Sequence, residues 1–330
     1  MDELTIYDIA EKAGVSASTV SRVINNYPHV KKATRAKVQK LLSEYNFIPN
    51  ETARNLVTQS SRMIGVLISD ITTTQYTDGV FFMEQEFSSR GYTCLICNTG
   101  PDSEKQAAQI HQLSTKKIDA MVLIGSIFQN DKVKEAIDKY VPNIPVAICN
   151  GYLDNENVYG IVQDEKEGVS NCVKLLLSKG RKNIAFIYNH ITPSNQKKLD
   201  GYVTAIAEKT GKEPLAIMSS TTIDKVSAIT KELVTNHPEV DGIIYSEDFM
   251  AMTGLHALND LGKKVPQDIS VIGINNSRFA DICIPPLTSL DNKLYESSLA
   301  SVRNILQVLN GEQALKKVII CSEIVERSST

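Results

Sequence analysis

Residues 5–25 read TIYDIAEKAGVSASTVSRVIN, and two short helices can be drawn from that stretch alone. Thr5 has a hydroxyl for a helix N-cap, and Ile6, Ile9, Ala10 and Ala13 follow at i, i+3, i+4, i+7 spacing. Gly14 supplies the left-handed stop. Ser16 then caps a second helix whose Val20, Val23 and Ile24 turn inward, while Ala17, Ser18, Ser21 and Arg22 point away. Two helices joined through Gly14-Val15 predict a helix-turn-helix, the unit that lays its second helix in the major groove of DNA. The outward side chains are small or hydrogen-bonding, as contact with base edges needs, and Arg22 can take guanine or grip a phosphate. The same pattern also serves as a simple packing unit. A third helix over Lys32 to Glu44 offers Ala33, Ala36, Val38, Leu41 and Leu42 to the same small core.

The charge around this segment is uneven. Residues 1–62 carry nine Lys/Arg and six Asp/Glu, so the head is at +3 and residues 63–330 are left with −6 of the net −3. Positions 12–43 hold seven bases (Lys12, Arg22, Lys31, Lys32, Arg35, Lys37, Lys40) and no acid. Such a stretch attracts polyanions, although a solvated helix face has the same look. With 330 residues there is room for two or three domains. A content of 42% hydrophobic and 22% charged residues sets aside disordered, collagen-like and disulfide-scaffold classes. The start Met-Asp-Glu-Leu-Thr has no secretory pattern and no apolar run reaches bilayer length, so a cytoplasmic protein without membrane association is expected.

Phe47-Ile48-Pro49-Asn50-Glu51-Thr52-Ala53-Arg54-Asn55-Leu56 comes next. Pro49 blocks helix upstream, Asn50 can cap, and Ala53, Arg54 and Leu56 favour a helix of about two turns, too short to persist alone in water. Such a hinge helix would form on DNA, with Leu56 wedged between base pairs from the minor groove. A plain linker is the alternative.

Along the body, apolar runs alternate with helical patterns: 63–70, 92–98, 119–125 and 145–150, then 183–189, 215–219, 242–247 and 269–275. Strands that are apolar throughout, with helices between, predict an α/β fold of two doubly wound parallel-sheet lobes, like a periplasmic binding protein. Ligands in such lobes lie beyond the carboxyl ends of the strands, which points to Ser69-Asp70, Asn98, Asn150, Glu247-Asp248 and Asn275. No glycine-rich phosphate loop, nucleophile elbow or zinc-protease motif occurs, and the five histidines lack ligand spacing. No cofactor, no metal and no enzymatic activity are therefore expected. Cys94 and Cys97 form a C-x-x-C inside an apolar run, where residues three apart face opposite sides of a sheet, which suits packing better than redox work.

Together, Thr5-Ile6-Tyr7-Asp8-Ile9-Ala10, Ala13-Gly14-Val15-Ser16, Thr19-Val20-Ser21-Arg22-Val23-Ile24-Asn25 and Pro49-Asn50-x-x-Ala53-Arg54-x-Leu56 resemble the head and hinge of the lactose/galactose-repressor (LacI/GalR) family. The resemblance implies that Ala17, Ser18 and Arg22 read major-groove bases and that Thr5, Ser16, Thr19, Ser21 and Asn25 approach phosphates. It puts the hinge residues Asn50, Ala53, Arg54 and Leu56 at the DNA as well, with Ala53 and Leu56 in the minor groove. Phe47 stands where the family often has a tyrosine. The likeness continues through Ile64-Gly65-Val66, Gly201-Tyr202, Val265-Pro266-x-Asp268-Ile269-Ser270-Val271-Ile272-Gly273 and Pro285-Pro286-Leu287-Thr288-Ser289-Leu290. It implies an effector-binding set of Asp70, Tyr76, Asn150, Lys198, Glu247 and Asn275. Sugar-responsive members carry Asp, Arg, Asn and Asp at the places aligned with Asn150, Lys198, Glu247 and Asn275, so the usual sugar clamp is altered at all four.

Lys197-Lys198-Leu199-x-Gly201-Tyr202, Asn276-Ser277-Arg278 and the ending Val325-Glu326-Arg327-Ser328-Ser329-Thr330 look like the catabolite-control branch. That likeness implies contact of Tyr295 and Arg303 with a phosphorylated carrier protein, with Gln307 replacing a matching lysine. The expected protein is a dimeric transcription regulator, a repressor, on a pseudo-palindromic double-stranded operator. Its expected effector is a sugar, a sugar phosphate or the phosphorylated carrier. The expected division is residues 1–60 for head and hinge (about 50–58), 61–161 with 291–321 for one lobe, and 162–290 with 322–330 for the other. A cytosolic solute-binding protein without specific DNA binding is the rival.

Overall fold

The computed structural model describes residues 4–24, 26–47 and 60–330. The predicted hinge, including Asn50, Ala53, Arg54 and Leu56, and Asn25 in the head lie outside the described residues. The chain divides into two compact units, Met1–Ser61 and Arg62–Thr330.

The head consists of α1 (Ile6–Ala13), α2 (Ala17–Ile24) and α3 (Lys32–Glu44). Thr5 Oγ1 accepts from the Asp8 amide at 3.4 Å while the Thr5 amide donates to Asp8 Oδ2 at 2.7 Å, a reciprocal capping box with aspartate in the third position. Those bonds from Thr5 hold the Asp8 carboxyl below the usual carboxylate range. Gly14 ends α1 at φ 63°, ψ 38°, a conformation that costs an L-residue about 1–2 kcal/mol. Ile9, Ala10, Ala13, Val20, Val23 and Val38 form the buried centre, with Leu41, Leu42 and Phe47 against it. Ala33 and Ala36 are exposed, contrary to the sequence expectation. Val38, Leu41 and Leu42 fix the inward face of α3, and the 100° helical step puts Thr34 and Arg35 on that side instead.

In the larger unit, β1 (Met63–Ile68), β2 (Thr93–Asn98), β3 (Ala120–Ile124), β4 (Val146–Cys149) and β5 (Val158–Gln163) alternate with α4 (Thr74–Ser88), α5 (Ser103–Ser114) and α6 (Asp131–Tyr140). After α7 (Glu165–Ser178) a second series follows: β6 (Ile184–Tyr188), α8 (Pro193–Thr210), β7 (Leu215–Met218), α9 (Ile223–Asn236), β8 (Gly242–Tyr245), α10 (Asp248–Asp260), β9 (Ser270–Ile274), α11 (Arg278–Ile282) and β10 (Thr288–Asp291). The chain closes with α12 (Leu294–Leu309), β11 (Lys317–Ile320) and β12 (Glu323–Val325). One sheet has the order β11-β5-β4-β3-β1-β2 and the other β12-β10-β9-β8-β6-β7. All neighbours run parallel except the pair β10 and β12.

Both faces of each sheet are covered, which is why the central strands are apolar throughout. On the first sheet, Leu67, Met121, Leu123, Val146 and Ile148 meet Ile110, Leu113, Val133 and Ile137 of α5 and α6. The alternate residues Ile64, Val66, Ile68, Val122 and Ala147 meet Met83 and Phe87 of α4 and Val302 and Ile305 of α12. The second sheet repeats the arrangement with Ile243, Tyr245 and Val271 on one face and Phe186, Ile244 and Ile272 on the other. Cys94 packs into one cluster of the first sheet and Cys97 into the other, on opposite faces. Burial raises both thiols, Cys94 to about 11. The backbone passes from one sheet to the other three times, between β5 and α7, between β10 and α12, and between β11 and β12. Among the described residues no helix is long and apolar enough to cross a membrane.

Candidate functional site

Two surfaces have the chemistry of binding. In the head, Thr5, Ser16, Ser18 and Arg22 are exposed, and Thr19 and Ser21 are half-buried. Ser16 Oγ accepts from the Thr19 amide at 3.3 Å and shares hydrogen bonds with Ser18 Oγ at 2.8 Å and Thr19 Oγ1 at 3.0 Å. These hydroxyls gather at the start of α2, where free backbone N–H groups favour an anion such as a DNA phosphate. Ala17 departs from the expectation of a freely outward residue: it is half-buried and leans on the head core. It precedes the buried Val20 by three positions, so the two share a face of α2. The basic stretch is also partly occupied by the fold. Arg35 donates to Asn26 Oδ1 at 3.1 Å and to the Tyr27 carbonyl, fastening the segment after α2, and Lys12 lies 5.0 Å from the centroid of the Tyr45 ring.

The second surface is a cavity of about 470 Å³ in the larger unit, lined from both sheets. Asp70, Tyr76 and Asn150 come from the first sheet's side, and Asn189, Lys198 and Glu247 from the second's. Of the six expected effector residues, five line this cavity. Asn275 does not: it borders a smaller neighbouring cavity of about 340 Å³, with Asn276, Arg278, Asp291 and Tyr295. Asn275 Oδ1 accepts from Asn292 Nδ2 at 3.1 Å, which ties the side chain to the loop after β10. Glu247 borders both cavities. Asn98 is at neither: its side-chain Oδ1 accepts from the Ile71 amide at 3.0 Å and shapes the loop after β1.

Asp248 is in the wall of the smaller cavity only, where it holds the fold together. Its Oδ2 accepts from the Ser277 amide at 2.6 Å and from Ser277 Oγ at 2.9 Å, and its Oδ1 accepts from Ser289 Oγ. Burial pushes this carboxyl up to about 6, against the pull of the hydrogen bonds from Ser289 and Ser277. A carboxyl raised by folding binds its proton more tightly in the native state, so its contribution to stability is full below the ordinary value of 3.8 and is lost as pH rises through about 6. The Asp248→Asn variant carries no such titration. The gap in Tm between wild type and variant is expected to move against the wild type as pH goes from 4 to 7, and a gap constant over that range would contradict the assignment.

The local geometry of the larger cavity rests on close approaches. Gly125, which ends β3, has φ 117°, and a Cβ there would lie 2.8 Å from Tyr76 Cε1, so only glycine lets the tyrosine ring cross at that point. Desolvation raises the Tyr76 phenol, and hydrogen bonds from Thr72 keep the Asp70 carboxylate below its ordinary range. Phe249 and Phe279, with centroids 5.6 Å apart, supply an apolar wall.

The residue that sequence reasoning missed is Glu165, at the start of α7 and completely buried. Its Oε1 accepts from Ser194 Oγ and from Asn150 Nδ2 at 3.3 Å, and Lys198 Nζ stands 3.7 Å away. Lys198 Nζ also donates to the Ser246 carbonyl at 3.3 Å. An acidic residue in the first turn of a helix is ordinarily a surface complement to the helix dipole, so nothing in the sequence distinguished this one. Tyr295 and Arg303 are both exposed on α12, and Tyr295 makes an edge contact with Phe82 at 5.1 Å between centroids. Arg278 of α11 pairs with Asp78 of α4 across the mouth of the smaller cavity, joining the two lobes.

Comparisons with known proteins cover both units of the chain. Residues 5–50 match the model of bacterial regulatory proteins of the lacI family, and residues 173–330 match a periplasmic binding protein-like domain. An HTH-type transcriptional regulator of Lachnoclostridium phytofermentans is 33% identical over 331 residues, covering 99% of each chain. Catabolite control protein A of Priestia megaterium is 27% identical, again covering 99% of each. A crystal structure of the lac repressor dimer bound to operator superimposes with a TM-score of 0.89 at 24% identity, covering 100% of this chain and 99% of that one, which establishes the shared fold. A helix-turn-helix head of this sequence, followed by a two-lobed core of this topology and related to regulators along its whole length, makes the chain a member of the LacI family of bacterial transcriptional regulators.

Proposed function

We propose that the protein is a cytoplasmic, non-enzymatic repressor that binds a pseudo-palindromic operator as a homodimer and releases or grips it according to what occupies the core. The observation that carries this reading is the exposed face of α2, with Ser18 and Arg22 outward and the hydroxyls of Ser16 and Thr19 at its start. Thr5, Ser16, Thr19, Ser21 and Asn25 are the proposed phosphate contacts, Ala17, Ser18 and Arg22 the proposed base contacts, and Asn50, Ala53, Arg54 and Leu56 the proposed hinge contacts. Two heads on one palindrome need a dimer to set half-site spacing. The lobes are proposed to divide at 61–161 with 291–321 and 162–290 with 322–330. A ligand held by Asp70, Tyr76, Asn150, Lys198 and Glu247 from both sides would change the angle between them. Tyr295 and Arg303 are the proposed contacts for a phosphorylated carrier protein, supported by their exposure on α12.

The test is selection of bound duplexes from a random pool by the full-length protein, followed by affinity measurements from about 50 to 200 mM salt. A steep loss of affinity with salt, on one preferred sequence, is expected of a dimer touching several phosphates. Binding without sequence preference would favour a solute-binding protein with an incidental basic head. On the selected operator, Leu56→Ala is expected to weaken specific binding and spare nonspecific binding; equal losses on both DNAs would exclude a wedge.

A further inference from the structure

Hydrogen bonding around the larger cavity is one-sided. Asn150, 9% exposed, donates through its Nδ2 to Glu165, which fixes its carbonyl oxygen as the remaining atom, and that oxygen has no partner among the described residues. Glu165 Oε2 and Gln163 Oε1, on side chains 0% and 1% exposed, are likewise without one among the described residues. Asn150 and Gln163 line the cavity directly. Buried acceptors in native proteins are nearly always satisfied by protein, ordered water or ligand, so the two that line the cavity, on Asn150 and Gln163, are places for donors of a ligand.

Charge leans the same way. Among the described residues the lining has two carboxylates, Asp70, which accepts from Thr72 and Thr73, and Glu247, whose Oε1 accepts from Asn189 Nδ2 at 2.7 Å, with Glu165 behind them, and its basic side chains are Lys198 and His190. Lys198 is already engaged with Glu165 and the Ser246 carbonyl. A phosphate would meet two lining carboxylates and a lysine that is already engaged, and like charges repel. An ammonium group carries three donors and no acceptor, the complement of carboxylate and carbonyl oxygens. The rings of Phe249 and Phe279 add a surface on which a cation or the C–H face of a sugar can rest.

We propose that the cavity accepts a hydroxyl-rich ligand bearing a protonated amine, an amino sugar, in preference to a neutral or phosphorylated sugar. This rests on the reading of the core as an effector site and narrows it.

The experiment is calorimetric titration of the full-length protein with glucosamine, galactosamine and mannosamine. Each is set beside its neutral parent, its N-acetyl derivative and the 6-phosphate of the parent. At least one free amine is expected to bind tenfold or more tightly than its three counterparts, and Glu247→Gln or Asp70→Asn to reduce that preference about tenfold. The proposal is overturned if the neutral parent, the phosphate or the N-acetyl derivative comes within tenfold of the amine, or exceeds it, in every series. It is overturned equally if no sugar binds a protein that still selects an operator, which leaves the regulator reading standing. Amine binding by a protein that selects no duplex would sustain the inference and end the regulator reading.

Discussion

Lys198→Met is expected to destabilise the core by about 3–5 kcal/mol, because it strands Glu165 as a buried carboxylate without its cation. Both side chains are little exposed, at 5% and 0%, so the charge left on Glu165 lies away from bulk solvent. Glu165 would keep only the neutral donors Ser194 and Asn150. The matching double variant, Glu165→Leu with Lys198→Met, should recover most of the loss, since replacing a whole buried pair by apolar groups is often neutral. Urea unfolding followed by circular dichroism measures both. A single variant as stable as wild type would mean that the pair is not what holds α7 to α8 at this point. The two variants also separate stability from response: a restored fold that no longer answers any ligand would place the Glu165–Lys198 pair at the effector site.

Arg22→Ala is expected to cost about 1–3 kcal/mol on the preferred operator, roughly a 5- to 150-fold loss in affinity. The salt slope tells which kind of contact has gone. If Arg22 pairs with a base edge, discrimination at one position relaxes and the slope hardly changes; if it meets a phosphate, binding weakens on all sequences and the slope falls by about one. An unchanged operator affinity would remove α2 from the major groove.

Much of this architecture was legible in the amino-acid order, for a reason particular to parallel sheets. Strands such as Ala120–Ile124 are buried on both faces and are written as unbroken apolar runs. The head was legible through its caps, since Thr5 and Gly14 act locally and need no distant partner. What escaped was built from long-range contacts. Strands β10 and β12 are short, and Thr288 and Ser289 are polar yet fully buried, satisfied by Ser329, Thr330 and Asp248. Glu165 acquires its surroundings only when α7 meets α8, and Asn275, placed at the cavity by the strand-end rule, is drawn aside by Asn292. Distance along the chain separates the residues that were readable from those that were not.

The triple passage of the backbone between the two sheets has a consequence for biosynthesis. Strand β11, laid beside β5, and helix α12, covering the first sheet, are made only after the second sheet's parallel strands. Ser329, in the segment that follows β12, accepts from the Thr288 amide at 2.8 Å and returns a bond to the Val271 carbonyl at 2.6 Å. A nascent chain therefore carries two unfinished sheets until residues 288–330 have left the ribosome. A chain cut before residue 288 lacks the helix that covers one face of the first sheet and the edge strands of the second, and leaves apolar surface bare on both halves at once.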